Sequence, residues 1–189
     1  SDLLDRRLRV NGAVFLNNYK NLQVTVNDPT LGFAPIIQNA AEARIKGFEL
    51  ELQARPIDGL RIEAGLGYRD AKYNKVDIRA LNAGVTTDSK LQNAPEWTLS
   101  AGISYRIDAG DIGSFQPRMD WSYRSKVYND AVNTPLLVQG GYHLLNASVA
   151  FNDPTEKWGL TLGVENLTTE VYLGSGYADS FGGVTEGVY

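Results

Sequence analysis

The sequence has no cysteine and a single histidine among its 189 residues. Without cysteine there is no disulfide scaffold, no thiolate metal site and no cysteine nucleophile. One histidine argues against a His-based zinc site and against a Ser-His-Asp triad. No stretch reaches the roughly 18 apolar residues that mark a membrane-spanning helix. The formal net charge is −4, from 18 basic and 22 acidic residues, so the basic excess of a general nucleic-acid binder is missing. Disorder is excluded as well, because 43% hydrophobic and 21% charged residues are the proportions of a folded chain. The aromatic residues lean to tyrosine, ten against six phenylalanines and three tryptophans. That excess suits a surface where a ring meets apolar matter on one side and water on the other.

What is present is alternation. From Trp97 to Arg106 the odd positions read Trp97, Leu99, Ala101, Ile103 and Tyr105, and the even ones Thr98, Ser100, Gly102, Ser104 and Arg106. A period of two with one apolar and one polar face is the signature of a β-strand. Residues 60–69 and 46–54 repeat it, and further segments run over 6–26, 115–128, 142–151 and 157–172. The reading is all-β, about seven antiparallel strands, with no convincing helix. Short connections carrying Gly or Pro with Asp or Asn fall at 55–59, 108–113 and 152–156. Between them lie long polar loops near 27–40, 75–92 and 129–141, and a tail from Gly174. Tight turns at one end and long loops at the other describe a transmembrane β-barrel, whereas a soluble sandwich would mix the two lengths at both ends.

Strand length and aromatic spacing agree. Most segments run ten residues or more, against about 5–6 in soluble sheets and about 9–11 across a membrane. Trp97 and Tyr105 share the apolar face eight residues apart, as do Phe115 and Tyr123. At ~3.3 Å per residue and a ~40° tilt that is a rise of roughly 20 Å, close to the ~25 Å apolar band between aromatic girdles. Pairing Ala54 with Leu60 across the first turn sets Leu52 beside Ile62, Leu50 beside Ala64 and Phe48 beside Leu66, so every apolar residue meets another.

In order along the chain stand Asp5-Arg-Arg-Leu-Arg-Val-Asn11, Asn17-Asn-Tyr-Lys-Asn-Leu-Gln23 and NAAEARIKGFELEL from Asn39 to Leu52. They are followed by Leu91-Gln-Asn-Ala-Pro-Glu-Trp-Thr98, Trp121-Ser-Tyr-Arg-Ser125, Tyr142-His-Leu-Leu-Asn146 and Val164-Glu-Asn-Leu-Thr-Thr-Glu-Val-Tyr172. In content, order and spacing the set resembles the C-terminal third of the β-barrel of siderophore-type TonB-dependent outer-membrane receptors. The resemblance implies a segment of a larger, 22-stranded barrel in the outer membrane of a Gram-negative bacterium. It implies energy-coupled uptake of a scarce, bulky nutrient, by default an iron–siderophore complex. It also implies as partners the surrounding outer-membrane lipid, an N-terminal plug domain and, through a segment preceding that plug, TonB. Residues 1–189 are expected to be a partial barrel, with the plug and the final strand lying outside them. The competing readings are a passive porin or structural barrel, and a soluble all-β binding module.

No constellation argues for catalysis, and no cofactor or metal site is expected. His143 has the parity of Leu145, Ala147, Val149 and Phe151, so it belongs to the outward face near the extracellular rim. The polar face carries Glu49, Glu51, Arg61, Glu63, Arg69, Arg106, Arg118, Asp120, Arg124 and Glu165, a mixed-sign wall suited to a hydrated lumen around a plug. Arg69 and Arg124, toward the extracellular ends of their strands, are the better candidates for ligand contact. The tail from Gly174 to Gly183 looks like a phosphate loop but precedes no helix, so it reads as a flexible outer loop. Tyr172, Tyr177 and Phe181 could stack there on an aromatic or sugar ligand. Asp108-Ala-Gly-Asp111 has too few oxygens for an EF-hand and reads as a turn. The sequons at Asn146 and Asn166 fall in strands and are discounted.

Overall fold

The structure is a computed structural model, and it describes residues 2–3, 7–27, 35–178 and 184–188. Seven principal strands follow one another as an antiparallel meander: β1 (Leu8–Asn27), β2 (Pro35–Ala54), β3 (Leu60–Val76), β4 (Trp97–Tyr105), β5 (Ser114–Arg124), β6 (Tyr142–Asn152) and β7 (Gly159–Val164). Each pairs with the next in the chain, and two short pieces, Asp2–Leu3 and Ile107–Asp108, join the same sheet. The sheet is open, not closed on itself.

The apolar parity of each strand meets that of its neighbours across the whole sheet. One continuous row reads Val10, Leu52, Ala64, Ala101, Trp121 and Leu145 through the directly paired positions. This face is bare: Val14, Leu50, Ile103, Met119, Leu160 and Leu162 are all exposed. A face of this extent far exceeds the apolar patch of a soluble monomer, and no second sheet covers it among the described residues. Aromatic clusters bound it at both ends. Phe48, Tyr68 and Trp97 pack at 4.6–6.2 Å between ring centroids on the long-loop side. Phe115, Phe151 and Trp158 pack at 5.0–5.3 Å by the tight turns. Rings with an apolar body and, for Tyr and Trp, one polar group settle where hydrocarbon meets water.

The tight turns are held by side chains. Asp153 accepts from the Thr155 hydroxyl at 2.6 Å, from the Lys157 amide at 2.8 Å and, more weakly, from the amides of Thr155 and Trp158. The Thr155 hydroxyl, followed by those amides, holds this carboxyl below its ordinary range. Asp108 accepts from the Gly110 amide at 3.0 Å, closing the turn before β5.

Several boundaries and one register differ from the sequence reading. Ala54 pairs with Ile62, Leu52 with Ala64, Leu50 with Leu66 and Phe48 with Tyr68, two residues from the expected alignment. Beyond Ala54 the chain leaves the β3 ladder, with Arg55 donating to the Arg7 carbonyl and Pro56 having no amide to donate. A shift of two keeps every side chain on its own face, which is why the apolar matching could not detect it. β2 reaches down from Pro35, so the loop expected near 27–40 is shorter than expected, while β3 runs on to Val76 and the connection expected near 75–92 lies at 77–96. The last strand expected, 157–172, ends at Val164, where Asn166 and Thr169 take positive φ values of 51° and 52° in a turn. The tail is not simply a loop: β8 (Leu173–Ala178) and β9 (Val184–Val188) pair antiparallel, and the Gln139 side chain accepts from the Leu173 amide at 2.6 Å. A helix is present after all, α1 (Ile78–Asn82), with Asp77 capping the Arg79 amide at 3.0 Å. Five residues are too few to show a 3.6-residue stripe.

Candidate functional site

On the polar face, Glu63, Gly102 and Asp120 are direct cross-strand partners. Arg118 reaches across to donate to Glu63 at 3.1 Å and to Asp120 at 2.5 Å. Gly102 makes the space, since a Cβ there would stand 2.9 Å from the Asp120 carboxylate and 3.0 Å from the Arg118 guanidinium. Mixed charge on this wall is therefore paired in part, and it borders an open concavity of about 410 Å³ that Glu51, Gln53 and Asn146 also line.

At the long-loop end the polar parity turns apolar and is capped. In β2 and most of β3 the change is one of residue type, since Ile45, Ala43 and Ala41 continue the parity of Glu49 and Glu51, and Ala71 and Tyr73 that of Arg69. Two bulges add further residues. In β1 the register slips between Tyr19 and Leu22, with Asn21 at φ 56°, and in β3 an extra residue follows Tyr73. Leu22 and Val24 beyond the first bulge and Val76 beyond the second join Ala41, Ala43 and Tyr73 on one side, and the group packs with Ala80, Val85 and Leu91 of the β3–β4 connection, and with Ala131. The two connections are stitched together: Asn133 accepts from the Lys90 amide at 2.6 Å and donates to its carbonyl at 3.0 Å, while Gln92 donates to the Asn129 carbonyl at 2.6 Å. These loops are packed elements with a small core of their own, contrary to a reading of them as polar loops.

Beside this cap, between the upper ends of β4, β5 and β6, lies a cavity of about 470 Å³. Arg124, Tyr142, Tyr172, Asn93, Asn129 and Thr98 are among its lining residues. Tyr142 and Tyr172 stack face to face, with centroids 4.4 Å apart and an interplanar angle of 9°. Asn129 is buried, and its side-chain amide is spent on the Leu137 carbonyl at 3.1 Å. The cavity thus presents one cation, aromatic surface and several hydrogen-bonding groups, a set suited to a bulky, oxygen-rich anion.

Arg124 and Tyr172 come together in this cavity, although 48 residues apart in sequence. Arg69 does not line it; it sits on the same face two residues below Ala71, which packs against the cap, and its amide donates to the Glu96 carbonyl at 2.8 Å. The side chain of Tyr177 and the whole of Phe181 lie outside the described residues. Arg106 leaves the polar wall for the tight-turn end, where it pairs with Glu156 at 3.5 Å and its amide donates to the Gly59 carbonyl. His143 is exposed opposite Tyr123 on the apolar face. Sequence reasoning missed Tyr142, Asn93 and Asn129. Tyr142 was within reach, since it pairs directly with Arg124 and has its parity; the two asparagines enter only through the folding of their loops.

Comparison with known proteins gives a consistent result. The family described as TonB dependent receptor-like, beta-barrel, matches residues 1–167. A curated relative from Acinetobacter baumannii, the probable TonB-dependent siderophore receptor PiuA, is 26% identical over 98% of this chain and 24% of its own length. The crystal structure of the siderophore receptor PiuA from the same organism superposes with a TM-score of 0.67 at 25% identity, over 99% of this chain and 26% of that one. The ferric yersiniabactin uptake receptor FyuA from Yersinia pestis superposes with a TM-score of 0.77 over 97% of this chain and 26% of its own, a likeness of fold at 21% identity. The chain spans about a quarter of the length of these relatives.

Proposed function

Because the chain belongs to the TonB-dependent receptor β-barrel family, whose members are outer-membrane proteins of Gram-negative bacteria, we propose that it forms part of the wall of a transporter that takes up an iron–siderophore complex with energy delivered through TonB. The cavity at the long-loop end carries the proposal. Arg124 offers a charge to an anionic ferric chelate, the Tyr142–Tyr172 pair offers aromatic surface, and Asn93 and Thr98 offer hydrogen bonds. The stitched loops beside it hold that geometry in place before ligand arrives, which lowers the ordering cost of capture. Tyr177 and Phe181, five and nine residues beyond Tyr172 in the sequence, are further aromatic candidates for contact with the same ligand. Arg69 meets the ligand below the cap. The plug domain, elsewhere in the protein, faces the wall of Glu63, Arg118 and Asp120, and TonB displaces it to open the path. The chain's part in this is binding and passage, without covalent chemistry.

The test is ligand binding by the full-length receptor, followed by tryptophan quenching with ferric catecholate and ferric hydroxamate chelates as probes. Arg124→Gln should weaken the chelate that binds by on the order of 10- to 100-fold, the worth of a charged hydrogen bond. Unchanged affinity in both Arg124→Gln and Tyr142→Ala would remove the cavity from the path. Steady ligand-independent conductance in planar bilayers would favour a passive pore instead.

A further inference from the structure

On the outward face, just above the Phe48–Tyr68–Trp97 cluster, the sheet carries a run of like charges. Lys46 pairs with Asp70, two residues above Phe48 and Tyr68. Two residues higher, Arg44 is the direct cross-strand partner of Lys72, and Lys72 is in turn the direct partner of Lys90. Directly opposed side chains share a face and stand about 4.5–5.5 Å apart at Cβ, and like charges in that arrangement repel. Their parity is that of Phe48 and Tyr68; the intervening Ala43, Ile45, Ala71 and Leu91 turn to the cap on the other side. Arg44, Lys46, Lys72 and Lys90 are all exposed.

Little compensates them. Asp70 lies 3.5 Å from Lys46 and 3.2 Å from Lys72, and Glu42 is opposed by a further lysine, Lys75. Neither Arg44 nor Lys90 has an ion-pair partner among the described residues. Four cations against one carboxylate leave a local excess of +3 on a chain whose net charge is −4. A direct row of cations across three neighbouring segments costs stability unless an anion lies over it.

The height of the row indicates the source of that anion. Four residues above the aromatic cluster, at ~3.3 Å per residue and ~40° tilt, is roughly 10 Å above the edge of the apolar band, at headgroup level. We propose that Arg44, Lys72 and Lys90, with Lys46 below them, bind the phosphate groups of a phosphorylated lipid of the surrounding leaflet. The lipid's acyl chains continue down the apolar face past Leu16, Val14 and Leu50. The proposal rests on the membrane placement of this face and is independent of what the receptor transports.

The test uses the full-length receptor in detergent, titrated with diphosphoryl lipid A or with its dephosphorylated form and read by native mass spectrometry. Wild type should bind the diphosphoryl lipid in preference. At about fivefold per interfacial cation, from ~1 kcal/mol each, R44Q/K90Q should weaken it by roughly 25-fold. R44K/K90R, which keeps the charges, should restore it. Retained heat-modifiable mobility in gels identifies variants that are folded. Equal binding of the two lipids by wild type, or equal binding of the diphosphoryl lipid by wild type and R44Q/K90Q, would overturn the proposal. So would displacement of the lipid by millimolar inorganic phosphate alone, which would make the occupant a free anion.

Discussion

Replacing Ala101 by arginine puts the placement of the apolar face under direct test. Ala101 lies in β4 four residues from Trp97 and four from Tyr105, between Ala64 and Trp121, with its side chain on the exposed apolar face. Four residues either way at ~3.3 Å and ~40° tilt put it roughly 10 Å from each edge of the band, at the bilayer midplane. An arginine there cannot bring its guanidinium to either interface without bending the membrane. The expected cost is about 2–4 kcal/mol, against roughly 0–1 kcal/mol near an interface. Ser100, one residue away, faces the polar wall, so Ser100→Arg should cost far less. Full-length receptor in phosphatidylcholine vesicles, unfolded with guanidinium and followed by tryptophan fluorescence, reads both variants against wild type. The soluble-sandwich alternative predicts a penalty for Ala101→Arg as well, through loss of core packing, but that penalty would not fall as the arginine is moved toward Lys46. A cost for Ser100→Arg equal to that for Ala101→Arg would refute the assignment of the two faces.

Three further outcomes are expected. Arg118→Met should cost about 1 kcal/mol, since all three partners are about a third exposed and water discounts the pairing; in a Glu63→Gln/Asp120→Asn background a double-mutant cycle should show that cost gone. Gly47→Ala would place a Cβ 1.9 Å from the Tyr68 carbonyl oxygen, so it should lower the unfolding midpoint by the equivalent of about 1–3 kcal/mol or more, while Gly140→Ala, with nothing within 4 Å, should not. Asp153 has a folded pKa below its unfolded value, so its contribution is complete above about pH 4 and is lost as pH falls through the folded pKa. The gap in melting temperature between wild type and Asp153→Asn should therefore narrow on acidification, and a gap independent of pH would contradict this.

Alternation is a local property, and it carried most of the architecture. The parity of Leu99, Ala101 and Ile103 needs only the pleat and the difference between apolar and polar side chains, and it survives unchanged in the folded sheet. The same holds for the two aromatic rows and for the turns, where Gly and Pro with Asp fix the backbone whatever surrounds them. The family followed from the same residues, because the segments that carry the resemblance are runs of strand and turn with their own local logic.

What alternation could not convey was anything that depends on distance in sequence or on a break in period. The alignment of Ala54 with Ile62 and not with Leu60 leaves every face unchanged, so only the competing ladder and the turn with Pro56 could decide it. The bulges after Tyr19 and Tyr73 invert parity, so Leu22, Val24 and Val76 reach the inner face against the phase of the strand before them. The cap covers these residues together with Ala41, Ala43 and Tyr73, which are apolar on the inner face above the polar wall and which the β3–β4 connection was near enough to cover. The cavity came last. Arg124 and Tyr172 could be named from the sequence and Tyr142 follows from its direct pairing with Arg124, but Asn93 and Asn129 joined them only when their loops packed at one end of the sheet. The sequence by itself determined two faces, their strands and their membrane; the tertiary structure decided the register, the cap and the company of Arg124, because those depend on contacts between residues that no local period relates.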